Sequence, residues 1–177
     1  MMGQIDVEKC RITHYPAPVL RAKAAPVEKI DDTIRRLVEK MTDIMFENKG
    51  MGLAAPQAGV SLRLFIITLT GTREGVRAYV NPTVTPHGEM ETKEEGCLSV
   101  PGIWAKIRRY KQATVTATDL DGNPFTEEAQ DLYARCLQHE YDHIEGTVIV
   151  NRMSQTARIA NRRQLKKLTE AQDNKHS

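Results

Sequence analysis

His139-Glu140-Tyr141-Asp142-His143 is the stretch on which the reading of this chain turns. Two histidines four residues apart share one face of a helix, so both imidazoles can reach a single ion. Glu140 would stand beside that ion, where a carboxylate can handle the proton of a bound water. On its own, H-E-x-x-H also occurs on ordinary exposed helices. The helix that carries it is expected from about Glu128 to Glu145.

Two histidines leave a metal site incomplete, because a catalytic zinc-type centre takes three protein ligands and keeps one position open. Glu145 lies two residues past His143 and turns off the ligand face, and Glu170 sits in a polar tail. The longer pattern H-E-x-x-H-x-x-G-x-x-H fails as well, since Ile149 stands where its third histidine would be. Three cysteines remain upstream of the second histidine. Cys10 lies in a charged segment, and Cys136 is three residues before His139, where it lines a wall more easily than it reaches the ion. Cys97, between Gly96 and Pro101-Gly102, sits in a sharply shaped loop or strand end and is the best candidate. The bland alternative is a small buried hydrophobe. A thiolate with two imidazoles suits Zn(II) or Fe(II).

Upstream, Asp31 or Asp32 can cap a helix whose apolar stripe runs Ile34, Leu37, Val38, Met41, Ile44, Met45 and which Gly50 ends. Gly50-Met51-Gly52-Leu53-Ala54-Ala55-Pro56-Gln57 follows; it is no phosphate loop, and Gln57 could offer an amide to a site. Strands are expected over residues 62–69, 76–81, 83–92 and 107–120, with a turn at Asp121-Gly122-Asn123. The order predicts an α+β fold, with short antiparallel or mixed sheets around the central H-E-x-x-H helix. A further helix, roughly Ser154–Gln172, carries Arg158, Arg162, Arg163, Lys166 and Lys167, which read most simply as a solvated basic face.

Three segments in this order, Gly50–Gln57, Glu95-Gly96-Cys97-Leu98-Ser99 and Gln138–His143, resemble the three signatures of the peptide deformylases, G-x-G-L-A-A-x-Q, E-G-C-L-S and Q-H-E-x-D-H. The similarity extends through Tyr15-Pro16 and Val80-Asn81-Pro82 and covers about residues 10 to 153. Ala17, Trp104 and Ile144 depart from the residues common in the family, and none is a proposed ligand or catalytic group. The resemblance implies metal-dependent hydrolysis of the formyl group of N-formylmethionyl nascent peptides, with release of formate. It implies one divalent ion on Cys97, His139 and His143, natively Fe(2+), with Zn(2+) or another ion in preparations. Glu140 would act as base and then acid, and Gln57 with the Leu98 N–H would steady the oxyanion. Backbone near Gly52 would hold the peptide extended. Met51, Leu132 and Cys136 are candidate walls for the methionine side chain, with Leu132, Cys136, His139 and His143 on one helical stripe. The plain alternative makes Met51 and Leu132 core residues. Asp142 and Glu95 are either supports for the ligands or solvated carboxylates. Some bacterial members of the family dock a C-terminal helix on ribosomal RNA, and the resemblance implies the same partner for the basic helix here.

The composition bounds these expectations. At 177 residues a single domain is expected, and 40% hydrophobic with 27% charged residues suits a globular protein. A net charge of +2 argues for neither DNA nor membrane as a partner. Met1–Lys9 is polar and predicts no secretory leader, and no run is long enough to span a bilayer. An odd count of three cysteines points to a reducing cytoplasm, and a monomer is expected. Two competing classes share part of the pattern: a zinc endopeptidase with only H-E-x-x-H in common, and a non-enzymatic protein with a structural metal.

Overall fold

The computed structural model describes residues 5–173 of the chain; residues 1–4 and 174–177, the ends of the expected domain, lie outside the described residues. The first long helix, α1, spans Asp32–Glu47. Asp31 caps it, its Oδ1 accepting from the N–H groups of Thr33 (3.0 Å) and Ile34 (3.1 Å), which satisfies two of the donors left unpaired at a helix start. The expected stripe from Ile34 to Met45 is buried against the sheet. The termination differs from expectation. Lys49 takes the left-handed conformation (φ 57), and the Gly50 N–H returns to the Met45 carbonyl at 2.8 Å. Gly50 is glycine for room: a Cβ there would stand 2.7 Å from Leu98 Cδ1.

Five strands form one antiparallel sheet in the order β1-β2-β3-β4-β5. They are β1 (Gly52–Ala54), β2 (Leu64–Thr68), β3 (Val76–Gly96), β4 (Trp104–Thr118) and β5 (Pro124–Gln130). β1 was not expected from the sequence; its small residues read as a helix end. The two strands expected over 76–81 and 83–92 are one. Asn81-Pro82 reads as a break, but β3 runs on through a bulge between Val80 and Thr83 and another between His87 and Met90. Asn81 (φ 49) exchanges two side-chain hydrogen bonds with the Val27 backbone, at 2.8 and 2.9 Å, which holds the bulge. β3 also continues to Gly96, paired with Trp104, and so delivers Cys97 at its end.

The central helix, α2, is Asp131–Ile144, starting three residues later than expected. Residues 128–130 instead complete β5 against Thr114–Gln112 of β4, and Asp131 (φ 48) makes the corner. Beyond the end of β5, Gln138 takes over its pairing role. Its Nε2 donates to the Tyr110 carbonyl (2.8 Å) and its Oε1 accepts the Tyr110 N–H (3.1 Å). That fastens the middle of α2 to β4. Gly146 (φ 75) ends the helix, and a Cβ there would strike the Arg21 and Ala22 backbone at 2.9 Å.

Three apolar clusters follow: α1 over β1 and β2, α2 over the sheet, and a third joining the turn after Cys97 to the C-terminal elements. Those elements are α3 (Ile149–Arg152), α4 (Gln155–Ala160) and α5 (Arg162–Asp173). One helix was expected over the last two. It breaks at Asn161, whose Nδ2 donates to the Ala157 carbonyl (2.9 Å), a side chain competing with the backbone ladder. Ala157, Leu165 and Leu168 pack against the third cluster, as Cys97 does. The fold is α+β, and no helix among the described residues is long and apolar enough to cross a membrane.

Candidate metal centre

Among the described residues, Cys97, His139 and His143 form the one group of three or more potential ligands whose donor atoms all lie within 4.8 Å of one another. The end of β3 brings the cysteine, and successive turns of α2 bring the histidines. Cys97 Sγ is 3.3 Å from His143 Nε2, which is 3.2 Å from His139 Nε2. A tetrahedral ion with ordinary bond lengths separates two ligand nitrogens by about 3.3 Å and a nitrogen from a sulfur by about 3.5 Å. The donors therefore fit a divalent transition metal in both spacing and chemistry. Burial holds His143 well below the usual histidine range, with the His139 charge adding to it.

Glu95 resolves as a support. It accepts a hydrogen bond from His139 Nδ1 at 2.6 Å and so turns Nε2 towards the other two donors. Arg109 grips Glu95 with Nε (2.9 Å) and NH2 (2.7 Å), and Arg135 adds NH1 at 3.0 Å. Burial alone would raise the Glu95 carboxyl, but His139 and Arg109 hold it well below the usual carboxylate range. Asp142 is likewise paired, with Arg109 NH1 at 2.8 Å. The sequence reading missed both arginines. A signal existed for Arg109: β4 alternates, and Ala105, Ile107 and Arg109 fall on its buried face.

Glu140 is buried, and its Oε2 has no hydrogen-bond partner among the described residues. Burial is the largest influence on its carboxyl and pushes it up to about 7, against the charges of His139 and Arg109. A nearby divalent cation favours the ionised form. Gly52 lies against this carboxylate, and a Cβ there would come within 2.5 Å of Oε1. Gln57 is buried in the short 3₁₀ turn Ala55–Ala58. Its Oε1 accepts the Ala54 N–H (2.8 Å), which aims Nε2 at Cys97 Sγ, 3.6 Å away. Leu98 follows the cysteine in the turn, and no acceptor among the described residues takes its N–H.

The pocket candidates are placed unevenly. Cys136 is half-buried on the ligand stripe, and its thiol is pushed up to about 12, chiefly by burial. Met51 and Leu132 are 39% and 52% exposed, so neither is a core residue. Glu145 points away, to Arg63 and Lys23.

Three converging ligands, an unpartnered buried carboxylate and an anchored amide, set on the end of an antiparallel sheet, define a metal-dependent hydrolase. Comparison with known proteins gives the family. The polypeptide deformylase family model matches residues 9–158, and the chain belongs to that family. The peptide deformylase of Chromohalobacter salexigens is 44% identical over 147 residues, 82% of this chain and 86% of that protein. Among solved structures, the Plasmodium falciparum peptide deformylase superposes with a TM-score of 0.91 at 33% identity, covering 94% of this chain and 99% of that one. The Legionella pneumophila enzyme gives 0.85 at 40% identity, covering 93% and 97%.

Proposed function

We propose that this protein removes the formyl group from N-formylmethionyl nascent peptides, with Cys97, His139 and His143 holding one divalent ion, Fe(II) natively, and Glu140 carrying the proton. The observation that supports it most is the Glu140 carboxylate, buried and unpartnered beside a three-donor cluster. Three donors leave a coordination position open, which a structural site does not. When bound, the ion would acidify a water and polarise the formyl carbonyl.

The remaining work falls to the chain. Glu140 accepts the proton of the attacking water and returns it to the departing amine. The Gln57 amide and the Leu98 N–H donate to the oxygen on which charge develops. β1 is the edge strand of the sheet, so the substrate backbone can pair along Gly52 as an added strand. A larger residue at Gly52 would push into Glu140. Cys136 lines the floor of the methionine slot, and the more exposed Met51 and Leu132 form its rim. Losing an oxyanion donor costs about 2.7–4 kcal/mol. Gln57→Ala is therefore expected to lower kcat for formate release about 10²–10³-fold at unchanged metal content. A wild-type kcat would remove Gln57 from the mechanism.

The protein would act in the cytoplasm as a monomer, with neither DNA nor membrane as partner, and meet its substrates through ribosomal RNA bound by the basic face of α4 and α5. Removing everything after Met153 is a poor test, because Ala157, Leu165 and Leu168 pack on the same cluster as Cys97. Reversing Arg162, Arg163, Lys166 and Lys167 to Glu leaves that packing intact. The expected outcome is weaker cosedimentation with ribosomes and unchanged hydrolysis of a short formyl peptide. Unaltered ribosome affinity would sink the docking role.

A further inference from the structure

Arg152 lies nine residues beyond the second histidine, on α3, and its side chain is 49% exposed. It reaches back to Asp142 with two bonds: Nε to Oδ2 at 3.1 Å and NH2 to Oδ1 at 2.6 Å. Asp142 in turn shares Arg109 with Glu95, and Glu95 holds the His139 ring. A continuous line of charge-assisted hydrogen bonds therefore runs from solvent to a metal ligand. It joins α3, α2, β4 and β3.

Arg109 is the shared member. Its guanidinium is buried and serves two buried carboxylates at once. Among the described residues, Arg152 is the only donor to Asp142 Oδ1. Without it, a buried carboxylate loses half its partners, which is costly, and Arg109 is the nearest group that can compensate. Any movement of Arg109 towards Asp142 loosens its two-bond grip on Glu95, and with it the hydrogen bond that sets the His139 ring.

We propose that Arg152 is a positioning residue for the metal centre: by occupying Asp142 it keeps Arg109 on Glu95 and so fixes His139. The proposal rests on the metal-centre reading above and adds a residue outside its motifs. Loss of an outer partner of a metal ligand typically costs about 10–100-fold in metal affinity. Arg152 stands further out, so Arg152→Ala is expected to speed metal loss by about tenfold, the lower end of that range.

The test loads wild-type and variant proteins with one equivalent of Zn(II) and follows its transfer to a colorimetric chelator. Thermal unfolding of the metal-free proteins is measured alongside. Arg152→Ala should release Zn(II) faster while its metal-free form still unfolds cooperatively, at a Tm below wild type because Asp142 has lost a partner, and Arg152→Lys, with charge but no fork, should fall between in both. Arg158→Ala should match wild type, because Arg158 Nε donates to the Val150 carbonyl and not to the carboxylates. Release at the wild-type rate in Arg152→Ala, with Glu95→Gln faster, overturns the role of Arg152 while sparing the metal centre. If wild type takes up no Zn(II), the metal-centre reading itself fails; if wild type binds Zn(II) and Glu95→Gln changes nothing, the line through Glu95 fails and the role of Arg152 with it. Should Arg152→Ala not fold, Arg152→Lys decides: faster release supports the link and wild-type release overturns it.

Discussion

Glu140→Gln is expected to lower formate release by about 10²–10⁴-fold, the usual contribution of a positioned general acid–base, while metal content stays at one equivalent. The two expectations separate because Glu140 Oε2 has no hydrogen-bond partner among the described residues, whereas Glu95 holds His139 directly. Stability should not follow activity down. The carboxyl is buried with an unpartnered oxygen and held up at about 7, an arrangement that costs folding free energy. An uncharged, nearly isosteric amide removes the cost of burying a charge there. The Tm of Glu140→Gln should therefore equal or exceed that of wild type. Loss of metal together with activity would show that Glu140 holds the site together rather than moving a proton.

Removing the thiolate should have the other large effect. Cys97→Ala is expected to leave no metal on the protein after gel filtration and no measurable formate release, because two imidazoles alone bind a divalent ion weakly. Cys136→Ala is the control. Its thiol lies on the ligand helix but is not among the three donors that converge. It should keep its metal and alter only KM for formyl-Met substrates. If the two variants exchanged these phenotypes, the ligand assignment would move to Cys136.

What could be read from the sequence was local or strongly periodic. The four-residue spacing of His139 and His143 needs only a helix, and the α1 stripe with its Asp31 cap needs only one turn of context. Cys97 was reachable because the loop glycines and the family's second signature marked it. The supports of the site were not legible. Arg109 meets Glu95 across 14 residues and Asp142 across 33, and no local pattern encodes which buried charges will pair. Glu95 and Asp142 were accordingly left between support and solvated carboxylate, and the structure places both among buried guanidinium groups. The boundaries failed for a related reason. Residues 128–130 suit a helix start by propensity, yet pairing with β4 holds them in β5. Asn81-Pro82 looks like a break, and two hydrogen bonds to Val27 turn it into a bulge.

The central claim is that this metal centre cleaves a formyl group and leaves ordinary peptide bonds alone. The most direct measurement is formate release from a short N-formylmethionyl peptide by protein purified without oxygen and with its metal quantified. The same peptide lacking the formyl group should be run beside it. One formate per peptide, intact methionyl product and no cleavage of the unformylated peptide is the expected result. Metal-replete protein that releases no formate, or that cuts the unformylated peptide internally, would contradict the account.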